Sequence, residues 1–171
     1  MIVKSIKESR KIVDYLGGEF SFVATLLRGG TGSVRIVYTG GVSEFDNIAS
    51  LDSSLAFCNL QFCKEGFVIR LIKKGIGQII GIKFSELQRL FFLTTPIRIQ
   101  MRGRIVIRYK ADVVIDCGKE RIFFQVQQVN YKSFKNYVSR NFRKEIIEWQ
   151  VNPTEEDQSG NVLDLISKAL S

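Results

Sequence analysis

Short runs of strand-forming residues, separated by glycine-containing or charged turns, dominate the middle of the chain and predict a mostly β protein. Two early runs, 19–27 and 34–39, flank a glycine-rich segment and predict a hairpin. The remaining predicted strands are 55–62, 67–72, 78–84, 97–101, 104–109, 113–115 and 121–126. Segment 94–96, Thr-Thr-Pro, interrupts this series and is the best candidate for a domain boundary.

The N-terminal segment 5–16 fits two interpretations. Its apolar positions fall at loosely helical spacing, and Gly17-Gly18 would end such a helix. However, residues 12–16 are also rich in strand formers, so a strand from Lys11 onward is the alternative.

Beyond Val126, successive apolar residues are three or four positions apart, which predicts one amphipathic helix that begins near Asn130. Its apolar stripe consists of Tyr131, Phe134, Val138, Phe142, Ile146 and Trp149. Such a stripe usually packs against a core, although aromatic residues interleaved with basic ones also suit a platform on which nucleic-acid bases stack. An acidic linker and a short docking helix over 162–170 are expected to follow, and a terminus that is disordered until a partner binds is the alternative.

The composition excludes several kinds of chemistry. The 171 residues are 45% apolar and 25% charged, as in a packed globular protein, and include no His. The lack of His excludes Ser-His-Asp and Cys-His triads, His-ligated zinc and histidine acid–base catalysis. Asp112 and Asp116 share no motif with a second acid or a metal ligand. We therefore expect a non-enzymatic protein without a metal or cofactor.

The cysteines indicate a reducing compartment. The N-terminus lacks the apolar segment of a signal peptide, and no window of about 18 apolar residues suggests a membrane span. Cys58 and Cys63 are five positions apart, which matches no zinc-binding spacing. We expect these two residues and Cys117 to be reduced, mostly buried thiols in a cytoplasmic protein.

The positive charge is concentrated in one region. The net charge is +8, and residues 97–149 alone contribute +7, from twelve basic and five acidic side chains. Residues 150–171 carry −3. A solvated basic face explains this distribution, and so does a surface that attracts phosphates.

Three segments resemble PilZ-domain proteins of the flagellar-brake type. The run 87–92, Leu-Gln-Arg-Leu-Phe-Phe, followed by Pro96, resembles the junction between the two barrels of that family. The segments 57–68 and 124–144 resemble the last hairpin of the first barrel and the closing strand and helix of the second. The resemblance implies two small β-barrels in tandem, the second PilZ-like and shortened. It implies an N-terminal barrel over 1–93, a PilZ-like domain over 94–150, and a linker with a short helix over 151–171. It also makes residues 11–16 a strand.

The family binds cyclic di-GMP through an RxxxR motif at the junction, because arginine forks grip phosphates and guanine edges. This chain has Arg89 there, but Leu93 stands where the second arginine would be. The companion [DN]-x-S-x-x-G motif is absent from 157–162. We therefore expect a degenerate site that does not bind cyclic di-GMP. The candidate nucleotide- or anion-binding residues are Arg89, Arg98, Arg102, Arg104 and Arg108.

Two functions follow from the sequence. The first is a PilZ-like regulatory module that acts through protein contacts, with motility control implied by the resemblance. The alternative is a pleckstrin-homology-like barrel over 55–149, which binds an anionic surface or nucleic acid through the basic region 97–149. A [K/R]-x-R step, as in phosphoinositide-binding barrels, occurs at Arg102-Gly103-Arg104.

Overall fold

The computed structural model describes residues 1–27, 30–101 and 103–152. The strands are β1 (Ile2–Ser5), β2 (Ile36–Gly40), β3 (Phe57–Phe62), β4 (Gly66–Lys73), β5 (Ile76–Lys83), β6 (Arg89–Met101), β7 (Arg104–Asp116), β8 (Arg121–Val126) and β9 (Ile147–Val151). The helices are α1 (Ser9–Tyr15), α2 (Phe22–Leu27), α3 (Ser43–Ala49) and α4 (Tyr131–Asn141), with 3-10 turns at Ile6–Glu8 and Lys144–Ile146. The fold is therefore mostly β, as the sequence predicts.

The nine strands form one open sheet in the order β1-β5-β4-β3-β2-β8-β7-β6-β9. Neighbouring strands are antiparallel, apart from the parallel pair β6–β9 at one edge. Two tandem barrels are not confirmed. Strand β6 runs without interruption through 94–96, where the sequence suggests a boundary, and the limits at 93/94 and 150/151 stay a prediction.

The main hydrophobic core lies on one face of the sheet, under α3 and α4. Phe45 of α3 and Phe134 and Val138 of α4 are buried there against the sheet. The same core contains Phe67 of β4 and Val113 of β7, so both halves of the chain contribute to it. The buried positions of α4 confirm that its apolar stripe faces the core.

Helix α1 covers the other face of the sheet at the β4–β5 end. Ile12 and Leu16 pack there against Val68 and Ile79. Gly81 of β5 makes this close approach possible, because a Cβ atom at Gly81 would lie 2.5 Å from the Cγ2 atom of Ile12. Residues 9–15 are therefore helical, and the strand that the PilZ resemblance implies for residues 11–16 is wrong.

Several other elements differ from the sequence prediction. Residues 22–27 form a helix instead of a strand, because the Oγ atom of Ser21 accepts the Ala24 N–H at 3.3 Å and caps a helical turn. The predicted strands 104–109 and 113–115 are parts of the single strand β7. The predicted helix ends at Asn141, because Phe142 adopts an extended conformation and the chain then returns as β9. Asn130 makes no side-chain cap; its amide donates to the carbonyl oxygen of Arg35 at 2.8 Å.

Within the described ranges, no helix is long and apolar enough to span a lipid bilayer. The short helix predicted over 162–170 and nearly all of the acidic linker lie outside the described residues.

Candidate functional site

The long hairpin β6–β7 extends beyond the rest of the sheet. The two strands pair from Arg89↔Asp116 to Met101↔Arg104. Strand β9 follows β6 only as far as Thr94, and β8 pairs with β7 only from Ala111 onward. Among the described residues, segment 95–110 is therefore a two-stranded ribbon without a third strand. At about 3.4 Å per residue, this ribbon extends by roughly 20 Å.

Apolar side chains on the ribbon are exposed to solvent. Ile105 is 73% exposed and Ile107 is 56% exposed, and Val106 and Tyr109 are also exposed. Two-stranded ribbons are marginally stable in water unless they pack against something, and clustered exposed apolar groups mark interaction surfaces. The ribbon thus exposes a cluster of apolar side chains of the kind that marks an interaction surface.

The ribbon carries only positive charge. In the sequence, segment 95–110 contains five basic residues and no acidic one. The five are Arg98, Arg102, Arg104, Arg108 and Lys110. Of the described ones, Arg98 and Arg104 are exposed and the other two are partly buried. A surface that is both apolar and basic favours a partner surface that is both apolar and acidic.

The strand register places the candidate arginines on two different faces. Arg98 lies opposite Ile107, so these side chains share the face to which Ile105 and Tyr109 also belong. Arg104 and Arg108 lie on the reverse face. Arg102 lies outside the described residues.

Arg89 is far from the other candidate residues. It precedes Arg98 by nine positions on the same strand, which corresponds to about 30 Å. Its Nη1 atom lies 3.2 Å from the Oε2 atom of Glu148 on β9. Leu93, at the place of the second junction arginine, is buried in an apolar cluster with Phe91 and Val114. The structure therefore places Arg104 and Arg108 on one face of the ribbon, about 14 Å apart along the strand, with Arg98 on the other face and Arg89 far from all three.

The root of the ribbon is fixed to the body of the protein. The rings of Tyr109 and Tyr131 lie 5.6 Å apart, and the Tyr131 hydroxyl is 3.4 Å from the Thr94 hydroxyl. On the other side, the backbone N–H of Asn152 donates to the Thr94 carbonyl oxygen at 2.8 Å. These contacts hold the ribbon in a defined direction relative to α4 and β9.

The thiols are poorly suited to nucleophilic catalysis. Cys58 and Cys63 are buried and Cys117 is half-buried, and all three are free. Burial raises the pKa of Cys63 to about 11 and that of Cys117 to about 12, and it raises the pKa of Cys58 further. The thiols are therefore protonated at neutral pH, whereas a nucleophilic cysteine needs its thiolate.

Asp112 and Asp116 each interact with a neighbouring polar or basic side chain. Burial raises the pKa of Asp112, and the nearby Gln125 amide, 3.4 Å away, opposes this shift. The Oδ2 atom of Asp116 lies 3.3 Å from Arg121. Over the ranges that the structure describes, no three Cys, Asp or Glu side chains are grouped to hold a metal ion.

No family model matches this chain, and no curated protein or solved structure matches it either. The likeness to PilZ-domain proteins therefore stays a prediction.

Sequence reasoning identified the arginines of the ribbon but missed the exposure of its apolar residues. The segment 104–109 has the composition of an ordinary buried strand, and only the register shows that neither β8 nor β9 reaches it. One signal was present in the sequence, since five basic residues without an acidic one surround these apolar positions.

Proposed function

We propose that this protein is a non-enzymatic regulatory module that binds a protein partner through the ribbon 95–110. The observation that carries the proposal is the exposure of Ile105 and Ile107 on a two-stranded ribbon whose charges are all positive. The lack of His and the protonated, buried thiols support a role without covalent or acid–base chemistry.

The ribbon offers two ways of making contact at once. In the described part of the chain, no strand pairs with the outer edge of either ribbon strand, so a strand of the partner can add to the backbone N–H and carbonyl groups there. The side chains of Ile105 and Ile107 then enter an apolar groove, and full burial of each contributes about 1.5–3 kcal/mol. Acidic groups around such a groove would face Arg98, which lies on the same face of the ribbon as Ile105 and Ile107, and this favours the correct encounter.

A protein partner fits these side chains better than nucleic acid does. The major groove of DNA admits a two-stranded ribbon, and the five basic residues would contact phosphates there. However, the most exposed side chains are aliphatic, and bases are bound chiefly by stacking on aromatic or guanidinium planes and by hydrogen bonds. Ile105 and Ile107 would remain poorly covered on a phosphate backbone.

The PilZ resemblance adds a further proposal about biological role. In that family such modules act in motility control, and this chain would act there through its partner alone, without cyclic di-GMP. This proposal is supported by the separation of Arg89 from the arginines of the ribbon.

The test compares an Ile105→Ser/Ile107→Ser variant with an Ile72→Ser control. Ile72 is also 56% exposed but lies on β4, away from the ribbon, so the control matches the loss of an exposed isoleucine. A photo-crosslinking amino acid at position 106 identifies the partner in cells, and titration calorimetry with the purified partner measures affinity. We expect the double variant to lose at least tenfold in affinity, since tenfold corresponds to about 1.4 kcal/mol. The Ile72 control should bind normally.

Three results would contradict the proposal. The first is equal affinity of the double variant and the parent for the crosslinked partner. The second is binding to a 20-base-pair duplex that falls steeply with salt and is lost in Arg104→Gln/Arg108→Gln but kept in the isoleucine variant. The third is concentration-dependent dimerisation in analytical ultracentrifugation that the isoleucine variant abolishes, which would make a second copy of the chain the occupant of the ribbon.

A further inference from the structure

A concave surface lies at the opposite end of α4 from the ribbon. It is a cleft of about 620 Å³ between the C-terminal end of α4, the β3–β4 turn and the segment that joins β5 to β6. Its volume falls within the range of small-molecule sites. Since α4 has 11 residues, the cleft and the root of the ribbon are about 15 Å apart along the helix.

The interior of the cleft is aromatic. Phe20, Phe84 and Phe142 line it, and the rings of Phe84 and Phe142 meet edge to face with centroids 6.4 Å apart. Phe142 is anchored by Phe62, whose ring centroid is 4.7 Å away, so this wall is firmly held. Phe84 remains partly open to solvent and offers a ring for a flat apolar ligand.

Two cationic side chains line the cleft. Lys64 and Arg143 are exposed lining residues, and no carboxylate is among the described residues that line the cleft. Neither cation makes an ion pair within the described part of the chain. An unpaired lysine and arginine beside apolar walls favour an anionic group, which arginine binds through two parallel hydrogen bonds.

One polar atom in the wall also lacks a partner. Asn141 lines the cleft, and its Nδ2 group donates to the Tyr137 carbonyl oxygen at 2.9 Å. Its Oδ1 atom is buried and accepts no hydrogen bond from any residue described here. A donor group on a bound molecule would complete the bonding of this amide.

We propose that this cleft binds a small aromatic carboxylate. The flat ring system lies against Phe84 and Phe142, and the carboxylate lies between Lys64 and Arg143. The site is distinct from the ribbon and requires nothing of the partner proposed for it.

The test uses 2-naphthoate as the probe and its neutral analogue, 2-naphthalenemethanol, as the chemical control. Titration calorimetry and amide chemical shifts of the full chain report binding and its location. We expect saturable one-to-one binding of naphthoate, with shifts confined to the lining of the cleft. The neutral analogue should bind about tenfold or more weakly, because it lacks the charge-assisted hydrogen bonds.

The variants Arg143→Gln and Arg140→Gln form the matched pair. Both arginines are exposed and only three positions apart, but only Arg143 lines the cleft. We expect Arg143→Gln to weaken naphthoate binding about tenfold and Arg140→Gln to leave it unchanged. The Ile105→Ser/Ile107→Ser variant should bind naphthoate normally, so failure of one proposal is distinguishable from failure of the other.

Equal binding of the neutral analogue, equal losses in the two arginine variants, or shifts spread over the ribbon would each overturn this assignment. The absence of saturable binding would overturn it as well.

Discussion

Lys73 is a buried cation that holds a surface loop together. Its Nζ atom donates to the carbonyl oxygens of Ala49, Asp52 and Ser54 at 2.6, 3.0 and 2.8 Å. It also lies 2.8 Å from the Oδ1 atom of Asp52. The ammonium group thus satisfies several acceptors of the loop that leads from α3 to β3.

Replacement of Lys73 by Met should destabilise the protein by at least about 2 kcal/mol, because it leaves carbonyl oxygens at the buried ammonium site without a donor. Lys74→Met is the control. Lys74 also pairs with Asp52, at 2.9 Å, but its side chain is 60% exposed, and exposed pairs contribute little. Urea denaturation followed by circular dichroism measures both variants. Equal losses of unfolding free energy in the two variants would show that the buried position of Lys73 is unimportant.

The same lysine gives stability a pH dependence. The pKa of the Asp52 carboxyl is lowered below its ordinary value, chiefly by the hydrogen bond from Lys73 and less by those from Ser54 and Lys74. A carboxylate whose pKa is lower in the folded state stabilises the fold above its unfolded pKa of about 4 and loses this contribution as the pH falls. Between pH 6 and pH 3, the urea denaturation midpoint should therefore fall less for Lys73→Met than for the parent protein.

The raised pKa values of the thiols predict slow modification. At pH 8 the native protein should react with Ellman's reagent far more slowly than a free thiol, because the thiolate population is small and two of the cysteines are buried. In denaturant all three cysteines should react at once. Rapid reaction of any native thiol would contradict the protonated, buried environment.

The arginine positions predict that cyclic di-GMP does not bind. Arg89 is engaged with Glu148 and Leu93 is buried, so the junction lacks the paired forks that the ligand needs. Each missing contact forfeits about 1.5–3 kcal/mol, and the loss of two converts a micromolar site into a roughly millimolar one. Titration calorimetry at physiological salt should show no saturable binding. Micromolar binding that Arg98→Ala with Arg102→Ala abolishes would restore a nucleotide sensor.

At the scale of elements, α4 and the residue that follows it stabilise the sheet through a few large side chains. Phe134 packs near Phe92, with ring centroids 6.3 Å apart, and Phe142 packs against Phe62 and Phe67. Truncation of either Phe134 or Phe142 to Ala should cost about 3–5 kcal/mol, because a large cavity replaces a buried ring. The exposed Lys132→Ala on the same helix should stay within about 0.5 kcal/mol of the parent. Unchanged denaturation midpoints for both Phe variants would mean that α4 is not packed as described.

The central strands were predictable because their apolar, strand-forming composition suits a position inside the sheet. Strands β3, β4, β5 and β8 have neighbours on both sides, and the sequence predicts each to within a few residues. Helix α2 was missed because residues 19–27 have strand-forming composition, whereas the Ser21 cap is a local hydrogen bond that composition does not reveal.

The C-terminal end of α4 was missed for a different reason. Trp149 continues the helical spacing of the stripe, but it is a strand residue that stacks on Phe92 with ring centroids 4.0 Å apart. The sequence spacing alone does not distinguish the helical from the strand conformation at this residue. The choice between them depends on the pairing of β9 with β6, which is a long-range contact.

For the molecule as a whole, the continuous sheet predicts a single unfolding transition. The main core joins residues from both sides of position 94, so neither half is expected to unfold alone. Trp149 is the single Trp and reports on the β6–β9 edge, whereas far-UV circular dichroism reports on every element. The two signals should give coincident transitions in urea. Separate midpoints would instead support two domains with limits near 93/94.

Strand β2 has a consequence for the synthesis of the protein. In the sheet, β2 lies between β3 and β8. The edge of β2 on which Val37 pairs with Gln125 therefore stays unpaired until β8 has been synthesised. While the ribosome adds the intervening residues, the nascent chain displays an open strand whose side chains at 36–38 are all buried in the finished protein. Such unpaired strand edges form hydrogen bonds with strands of other chains and so promote aggregation. Translation that stalls before residue 126 should therefore yield an aggregation-prone fragment, which the sedimentation of a truncated chain would measure.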